Sequence, residues 1–291
     1  MLASTATRVK RLTSFSELRA WRSSLKDGDS VGFVPTMGAL HAGHSSLFKK
    51  ARRENEQLLA SIFVNPLQFN EGKDFERYPK TLEEDCQILE AQGVNAVYLP
   101  DREDLYPEGY DTTVTAGRAG DVFEGYSRPG HFEGMLSVVL KLFLRTKPHR
   151  AYFGEKDAQQ LFLVKRMTKD LDLPLTIVPC ETVRCEDGLA LSTRNSFLGT
   201  EERERSLCII HALRAADALY ASGVRVPAEL EGVMRQCLQE EVGFFVEYAA
   251  VVDDKDFQSA QENHLGSWRA ILAVRVGKTR LIDNLLLSES A

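Results

Sequence analysis

Five short apolar runs, at residues 31–35, 58–64, 94–99, 151–153 and 175–178, are spaced along the first 180 or so residues by longer segments of helical period. This alternation constrains the fold more than any other feature of the chain. The intervening segments at 44–56, 82–92, 134–144 and 158–171 repeat apolar residues every three or four positions. Short β-rich runs separated by such segments predict βαβ units and a mostly parallel sheet. Ligands of such sheets lie outside the carboxyl ends of the strands. The chemistry is therefore expected just after Val34, Val64 and Phe153.

From about Thr200 the texture changes. Helices are expected at 201–222 and 228–241, then strands at 245–252, 270–276 and 279–282. Gly277 and Lys278 alone separate the last two runs, which is hairpin spacing. The reading is α/β: a parallel-sheet N-terminal domain followed by a smaller α+β C-terminal domain. The boundary falls between Thr182 and Thr200 and is placed so that 1–184 and 185–291 form the two domains. Residues 1–12 read as a ragged terminus and 15–25 as a helix.

Composition narrows the function classes. The net charge of -6 argues against a nucleic-acid binder, which needs a strong basic face. No apolar run approaches the ~20 residues that cross a bilayer, so no membrane association is expected. The 5 cysteines are odd in number and form no Cys-x-x-Cys, which points to free thiols in a reducing, cytoplasmic compartment. Cys180 and Cys185 lack histidines at metal-ligand spacing, which argues against zinc.

Four segments sit where the strand ends should be. Pro35-Thr36-Met37-Gly38-Ala39-Leu40-His41-Ala42-Gly43-His44 follows the first strand. Gly38 and Gly43 let backbone approach a phosphate closely, and the helix opening near His44 presents its N-terminus to an anion. His41 and His44, three apart, share a helical face and can donate to phosphate oxygens as charge develops. Asn65 and Gln68 leave the second strand and offer uncharged amides to a polar or carboxylate ligand. Gly154-Glu155-Lys156-Asp157 leave the fourth, with Asp157 a helix cap, Lys156 a mobile cation and Gln160 about one turn on. Val183 to Asn195 carries Ser192, Thr193 and Arg194, a donor cluster suited to a triphosphate on a lid-like loop. Arg128 and His131, in a glycine-flanked loop, are further candidates for phosphate or carboxylate. Each segment alone also reads as an ordinary turn, cap or polar linker. Neither Gly-x-Ser-x-Gly nor a Walker A pattern is present, so no covalent serine is evident and the phosphate site is not a P-loop.

Together the patterns PTMGALHxGH, FVNPxQF, RPGHFxG, FGEKDxQQL and VRxxDGLAxSxRN, in that order, with RLIDN at 280–284, resemble the pantothenate synthetase (pantoate–β-alanine ligase) family. The resemblance runs from about Val31 to Asn284. It implies a Rossmann-like N-terminal domain that binds ATP and pantoate, a C-terminal lid domain and a homodimer. It also implies a reaction with ATP and Mg²⁺ in which pantoate is adenylated and then condensed with β-alanine. Residue by residue, Met37, Gly38, Ala39, Leu40, His41, Ala42, Gly43 and His44 would line the ATP site, with His44 donating a proton. Gln68 would meet pantoate and β-alanine, and Gln160 pantoate. Gly154, Glu155, Lys156, Asp157, Val183, Leu191, Ser192, Thr193 and Arg194 would contact ATP. His41, His44, Lys156 and Arg194 would balance its charge. Thr193 stands where the family has serine, and Ala158 and residues 70–73 also depart from its common forms. Glu84 and Asp85 are only loosely matched as magnesium ligands.

Two other readings share part of this pattern. A nucleotidyltransferase acting on a phosphorylated acceptor would keep His41 and His44 but need a further basic cluster. A non-catalytic nucleotide sensor would keep Gly38 and Gly43 without needing His44, Lys156 or Gln160.

Overall fold

The protein is described here by a computed structural model that covers residues 8–69, 75–76, 78–239, 243–262 and 266–288. Residues 70–73 of the sequence comparison therefore lie outside the described residues. Two compact units divide the chain: residues 1–155 with 163–180, and residues 156–162 with 181–291. The expected boundary at 184/185 compares with this division at Cys180/Glu181, and the second unit also takes a short segment from the middle of the first.

The first unit holds six parallel strands: β1 (Lys10–Leu12), β2 (Val31–Thr36), β3 (Gln57–Ile62), β4 (Ala96–Tyr98), β5 (Arg150–Gly154) and β6 (Thr176–Cys180), in the order β1-β4-β3-β2-β5-β6. The helices between them are α1 (Phe15–Ser23), α2 (Ala42–Glu54), α3 (Leu82–Ala91), α4 (Arg102–Leu105), α5 (Glu124–Ser127), α6 (His131–Thr146) and α7 (Ala158–Asp170). The central strands are covered on both faces, which is why Val31, Phe33 and Val34, then Leu58, Leu59 and Ala60, run as unbroken apolar stretches, all fully buried. Phe48, Ala51 and Leu89 from α2 and α3 pack onto one face.

The chain turns one way along the sheet after β2 and the other way to β5, so β2 and β5 flank a topological switch point. Their pairing is brief. β2 and β3 pair over six residues, whereas β2 meets β5 only at Gly32↔Arg150 and Phe33↔Ala151. Beyond Phe33 the two strands no longer pair, and Pro35, which has no N–H to give, sits on that stretch. In open parallel sheets, ligands lie at such a point, outside the carboxyl ends of the strands.

The second unit is a three-stranded antiparallel sheet, β7 (Phe244–Asp253), β8 (Trp268–Val276) and β9 (Thr279–Leu286), in that order. Helices α8 (Thr200–Arg205), α9 (Cys208–Ala221) and α10 (Pro227–Gln239) accompany it. Ile209, Leu213, Leu230 and Met234 meet Ala249, Val251, Trp268 and Leu272 in its core. The Gly277-Lys278 hairpin is present, with Val276 opposite Thr279.

Three expectations needed correction. Residues 10–12 are not a ragged end but the edge strand β1, whose exposed Arg11 is bound to Glu83 at 2.6 Å. Three residues are too few to display a period of two. The helix expected at 201–222 is two helices, because the Ser206 hydroxyl turns back to the Glu202 carbonyl at 2.7 Å and the path breaks at Ser206-Leu207. The helix expected from Gly134 begins three residues earlier, at His131, after Gly130 in the left-handed region. Among the described residues no helix is long and apolar enough to cross a membrane.

Candidate active site

The turn after β2 is built by Gly38 and Ala39, both at positive φ (84° and 51°). Only glycine suits the first position, since a Cβ there would lie 3.0 Å from the Asp85 carboxylate and 3.1 Å from Ile62. Two successive left-handed residues aim neighbouring amides the same way. The N–H of Ala39 donates to Oδ2 of Asp85 at 3.1 Å and that of Leu40 to Oδ1 at 2.7 Å. Asp85 is buried in the first turn of α3, and the Thr81 hydroxyl gives it a further bond. The acid first considered for magnesium thus holds the turn in place, while Glu84 is exposed.

His41 is the N-cap of α2. Its Nδ1 accepts the Gly43 N–H at 3.1 Å, and Nδ1 of His44 accepts the His41 N–H at 3.3 Å. The rings lie 4.2 Å apart between centroids. A backbone N–H can only donate, so both Nδ1 atoms are acceptors and each neutral ring carries its proton on Nε2. The turn therefore presents two imidazole N–H donors of fixed tautomer.

The next turn brings Asn65 and Gln68 together. Oδ1 of Asn65 accepts the Leu67 N–H at 3.3 Å and the Tyr106 hydroxyl at 2.8 Å. Its Nδ2 donates to the Gly134 carbonyl at 3.0 Å and to Oε1 of Gln68 at 3.1 Å. The buried Gln68 then directs Nε2 at the Met37 sulfur, 3.0 Å away. This contact ties the amide pair to the first residue of the histidine turn. Nδ1 of His131 donates to the Gln68 carbonyl at 2.8 Å, and its Nε2 accepts from Arg128 at 3.0 Å. A carbonyl cannot donate and a guanidinium cannot accept, so this tautomer is also fixed. His131 thus spends both ring nitrogens on protein atoms and props the backbone of Gln68.

In the second unit, Lys156 is mostly shielded and lies 3.7 Å from Asp157. Gln160 is half-buried in the first turn of α7. The Lys156 carbonyl accepts the Asn284 side-chain N–H at 2.9 Å. Oδ1 of Asn284 takes Arg269 at 2.6 Å, and Arg269 also reaches Asp254 at 2.6 Å. The neighbouring Asp283 grips Arg184 through two bonds of 2.6 and 3.1 Å. Arg184 and Ala190 bridge, and Leu191 donates to Val183 at 2.9 Å, which makes residues 183–191 a short hairpin. After it, Ser192 caps the single-turn helix Thr193–Phe197, on which Arg194 is exposed. Adjacent residues of β9 therefore brace both segments expected to meet the triphosphate.

Tyr106, Gly134, Asp283 and Asn284 carry these arrangements and were not singled out as site residues from the sequence, and Asp85 was considered there only as a loosely matched magnesium ligand. An acid in a helical first turn reads as a dipole partner, and Tyr106 lies in a stretch without periodicity. Among the described residues no group of three or more His, Cys, Asp and Glu is placed to hold a metal. The five cysteines are free thiols, and burial pushes that of Cys180 up to about 11.

A parallel sheet with a histidine- and glycine-bearing turn at its switch point defines a Rossmann-like α/β protein suited to an anionic ligand at that edge. The pantoate-beta-alanine ligase family matches residues 10–286. The pantothenate synthetase of a Roseiflexus species is 45% identical over 279 residues, covering 96% of this chain and 99% of the relative. The crystal structure of pantothenate synthetase from Thermus thermophilus superposes with a TM-score of 0.90 at 43% identity, covering 96% of this chain and 99% of that one. That of the Francisella tularensis pantoate-beta-alanine ligase, complexed with beta-gamma ATP and beta-alanine, gives 0.80 at 38% identity, covering 97% and 99%. The chain belongs to the pantoate-beta-alanine ligase family, a family of enzymes.

Proposed function

We propose that the chain condenses pantoate with β-alanine at the expense of ATP, through a pantoyl adenylate. A carboxylate and an ammonium do not condense unaided at neutral pH. In the first step a pantoate carboxylate oxygen bonds to the α-phosphorus while the bond from that phosphorus to its bridging oxygen breaks. The electron pair leaves with pyrophosphate. In the second, β-alanine loses a proton from its ammonium and attacks the acyl carbon. The carbon–oxygen bond to the phosphate breaks, AMP leaves, and the new amide sheds its remaining extra proton.

The observation that carries this reading is the histidine pair at the end of β2, both Nδ1 atoms held by backbone, with Gln68 reaching Met37 of the same turn. Two fixed Nε2–H donors match the charge that grows on phosphate oxygens in the first step. His44 is assigned the proton-donating role there. Gln68 offers an N–H₂ group to pantoate and then to β-alanine, with Gln160 as a second amide for pantoate. Lys156 and Arg194 supply cations to the triphosphate, and Ser192 and Thr193 hydroxyl donors. Thr193 keeps the hydroxyl of the serine it replaces.

A magnesium ion would accompany ATP and supply charge to the triphosphate. Asp85 gives both carboxylate oxygens to the turn, so such an ion would rely mainly on phosphates and water, as Mg²⁺ favours. We further propose a cytoplasmic homodimer, checked by light scattering of the purified protein. The enzyme assay is direct: incubate the protein with ATP, pantoate and β-alanine. AMP and pantothenate forming only when all three are present supports the reading. AMP transfer to a phosphorylated acceptor instead, or nucleotide binding without turnover, overturns it.

A further inference from the structure

Gln68 presents its N–H₂ outward only if its oxygen is held, and the residues that hold it form a chain. Asn65 has its own orientation set by two groups of fixed polarity: the Leu67 N–H, which must meet Oδ1, and the Gly134 carbonyl, which must meet Nδ2. With that settled, the Tyr106 hydroxyl, 2.8 Å from Oδ1, has to be the donor. The second Nδ2 hydrogen of Asn65 goes to Oε1 of Gln68 at 3.1 Å. Nε2 of Gln68 is left with a thioether at 3.0 Å, a weak acceptor that a ligand oxygen would outbid.

The tyrosine is itself fixed. Its ring packs against Phe63 and Tyr110, with centroids 6.1 and 4.9 Å away. The Lys141 ammonium lies 4.3 Å from the Tyr110 ring and 5.8 Å from that of Tyr106. Burial holds the Tyr106 hydroxyl well above the usual phenol range, so it keeps its proton throughout the working range.

We infer that Tyr106 is a positioning residue for the acid substrate: through Asn65 it holds the Gln68 amide with its N–H₂ toward the ligand, so that the site selects an oxygen acceptor, a carboxylate or hydroxyl, over a donor. This rests on the proposed ligase reading. Removing the hydroxyl leaves Oδ1 of Asn65 one donor short and loosens the amide pair, which the Leu67 N–H and the Gly134 carbonyl still orient; this weakens ground-state binding of the acid and leaves ATP binding alone.

The test is Tyr106→Phe in the full-length enzyme, alone and in a Gln68→Ala background. KM for pantoate is expected to rise roughly five- to twentyfold, the effect of one lost hydrogen bond, with KM for ATP within about twofold of wild type. In the Gln68→Ala background the same change should alter KM for pantoate less than about twofold, because the residue it acts through is gone. Asn65→Asp is the second variant. It keeps both acceptor bonds but has no N–H for Gln68, and it should raise KM for pantoate at least as much as Tyr106→Phe. An unchanged KM for pantoate in Tyr106→Phe overturns the inference, as does an equal penalty in both backgrounds or a matching rise in KM for ATP. Wild-type enzyme that makes no pantothenate overturns the ligase reading instead, so the two failures are distinct.

Discussion

The backbone N–H of His41 donates to Nδ1 of His44 at 3.3 Å, which makes one histidine part of the other's support. His41 also caps α2 by accepting from Gly43 at 3.1 Å. Its two nitrogens thus divide between fold and chemistry.

That division can be separated by substitution. His41→Asn keeps a side-chain cap, since asparagine is a favoured N-cap residue, but loses the Nε2 donor. It should retain thermal stability while turnover falls on the order of tenfold or more. His41→Ala should lose both turnover and about 1 kcal/mol of stability. Calorimetry beside steady-state kinetics checks the pair. Equal stability in the two variants would remove the cap from the account.

Asp85 stands between the turn and α3. Asp85→Ala leaves the Ala39 and Leu40 N–H groups without their acceptor. Unsatisfied buried donors cost about 1–3 kcal/mol each, so the melting temperature should drop by several degrees and KM for ATP should rise. Asp85→Asn keeps one acceptor oxygen and should fall between. If Asp85→Ala melted like wild type yet lost activity that excess magnesium restored, Asp85 would be a metal ligand rather than a brace.

Gly134 allows α6 to touch the turn that carries Gln68. A Cβ at this position would lie 2.1 Å from the Leu67 carbonyl oxygen and 2.8 Å from the Gln68 nitrogen. Gly134→Ala must push the turn outward. It should raise KM for pantoate more than KM for ATP and destabilise the fold by about 1–3 kcal/mol, as overpacking does. Unchanged kinetics would mean that α6 yields and the amide pair does not depend on this contact.

Alkaline pH should destabilise the protein through its buried hydroxyls and thiol. Burial raises the hydroxyls of Tyr98, Tyr106 and Tyr152 well above the ordinary 10.0 and the Cys180 thiol from 9.0 to about 11. Between each ordinary value and its folded one, the native state holds more protons than the unfolded chain. Stability is therefore fully present below about 9 and declines as pH rises through the folded values. Denaturant melts in that range, with tyrosinate absorbance recorded in parallel, should show these three of the 8 tyrosines ionising only on unfolding. Ionisation of all eight before unfolding would contradict the burial assigned to them.

The parallel sheet was legible because its strands are buried on both faces and its helices on one. Each period is written over enough residues to see, as at Val31–Thr36 and Ala42–Glu54. The histidine turn was legible because glycines and histidines cluster at a strand end. What escaped was long-range or short. β1 is three residues long and acquires meaning only beside β4. Asp85 is 45 positions from the amide it holds most tightly, Tyr106 is 41 from Asn65, and Asn284 is 128 from Lys156. No local pattern encodes a bond across such distances. The break at Ser206 was hidden because a serine that bonds back to the preceding turn looks, in sequence, like any other helical serine.

The central claim is that the acid is adenylated at the histidine turn before the amine takes part. Exchange of labelled pyrophosphate into ATP measures that step by itself. With pantoate present and β-alanine absent, the wild-type enzyme should catalyse the exchange, and His44→Ala should slow it on the order of 10²–10³-fold, as for other lost transition-state donors. Exchange that requires β-alanine, or that proceeds undiminished in His44→Ala, would contradict the account.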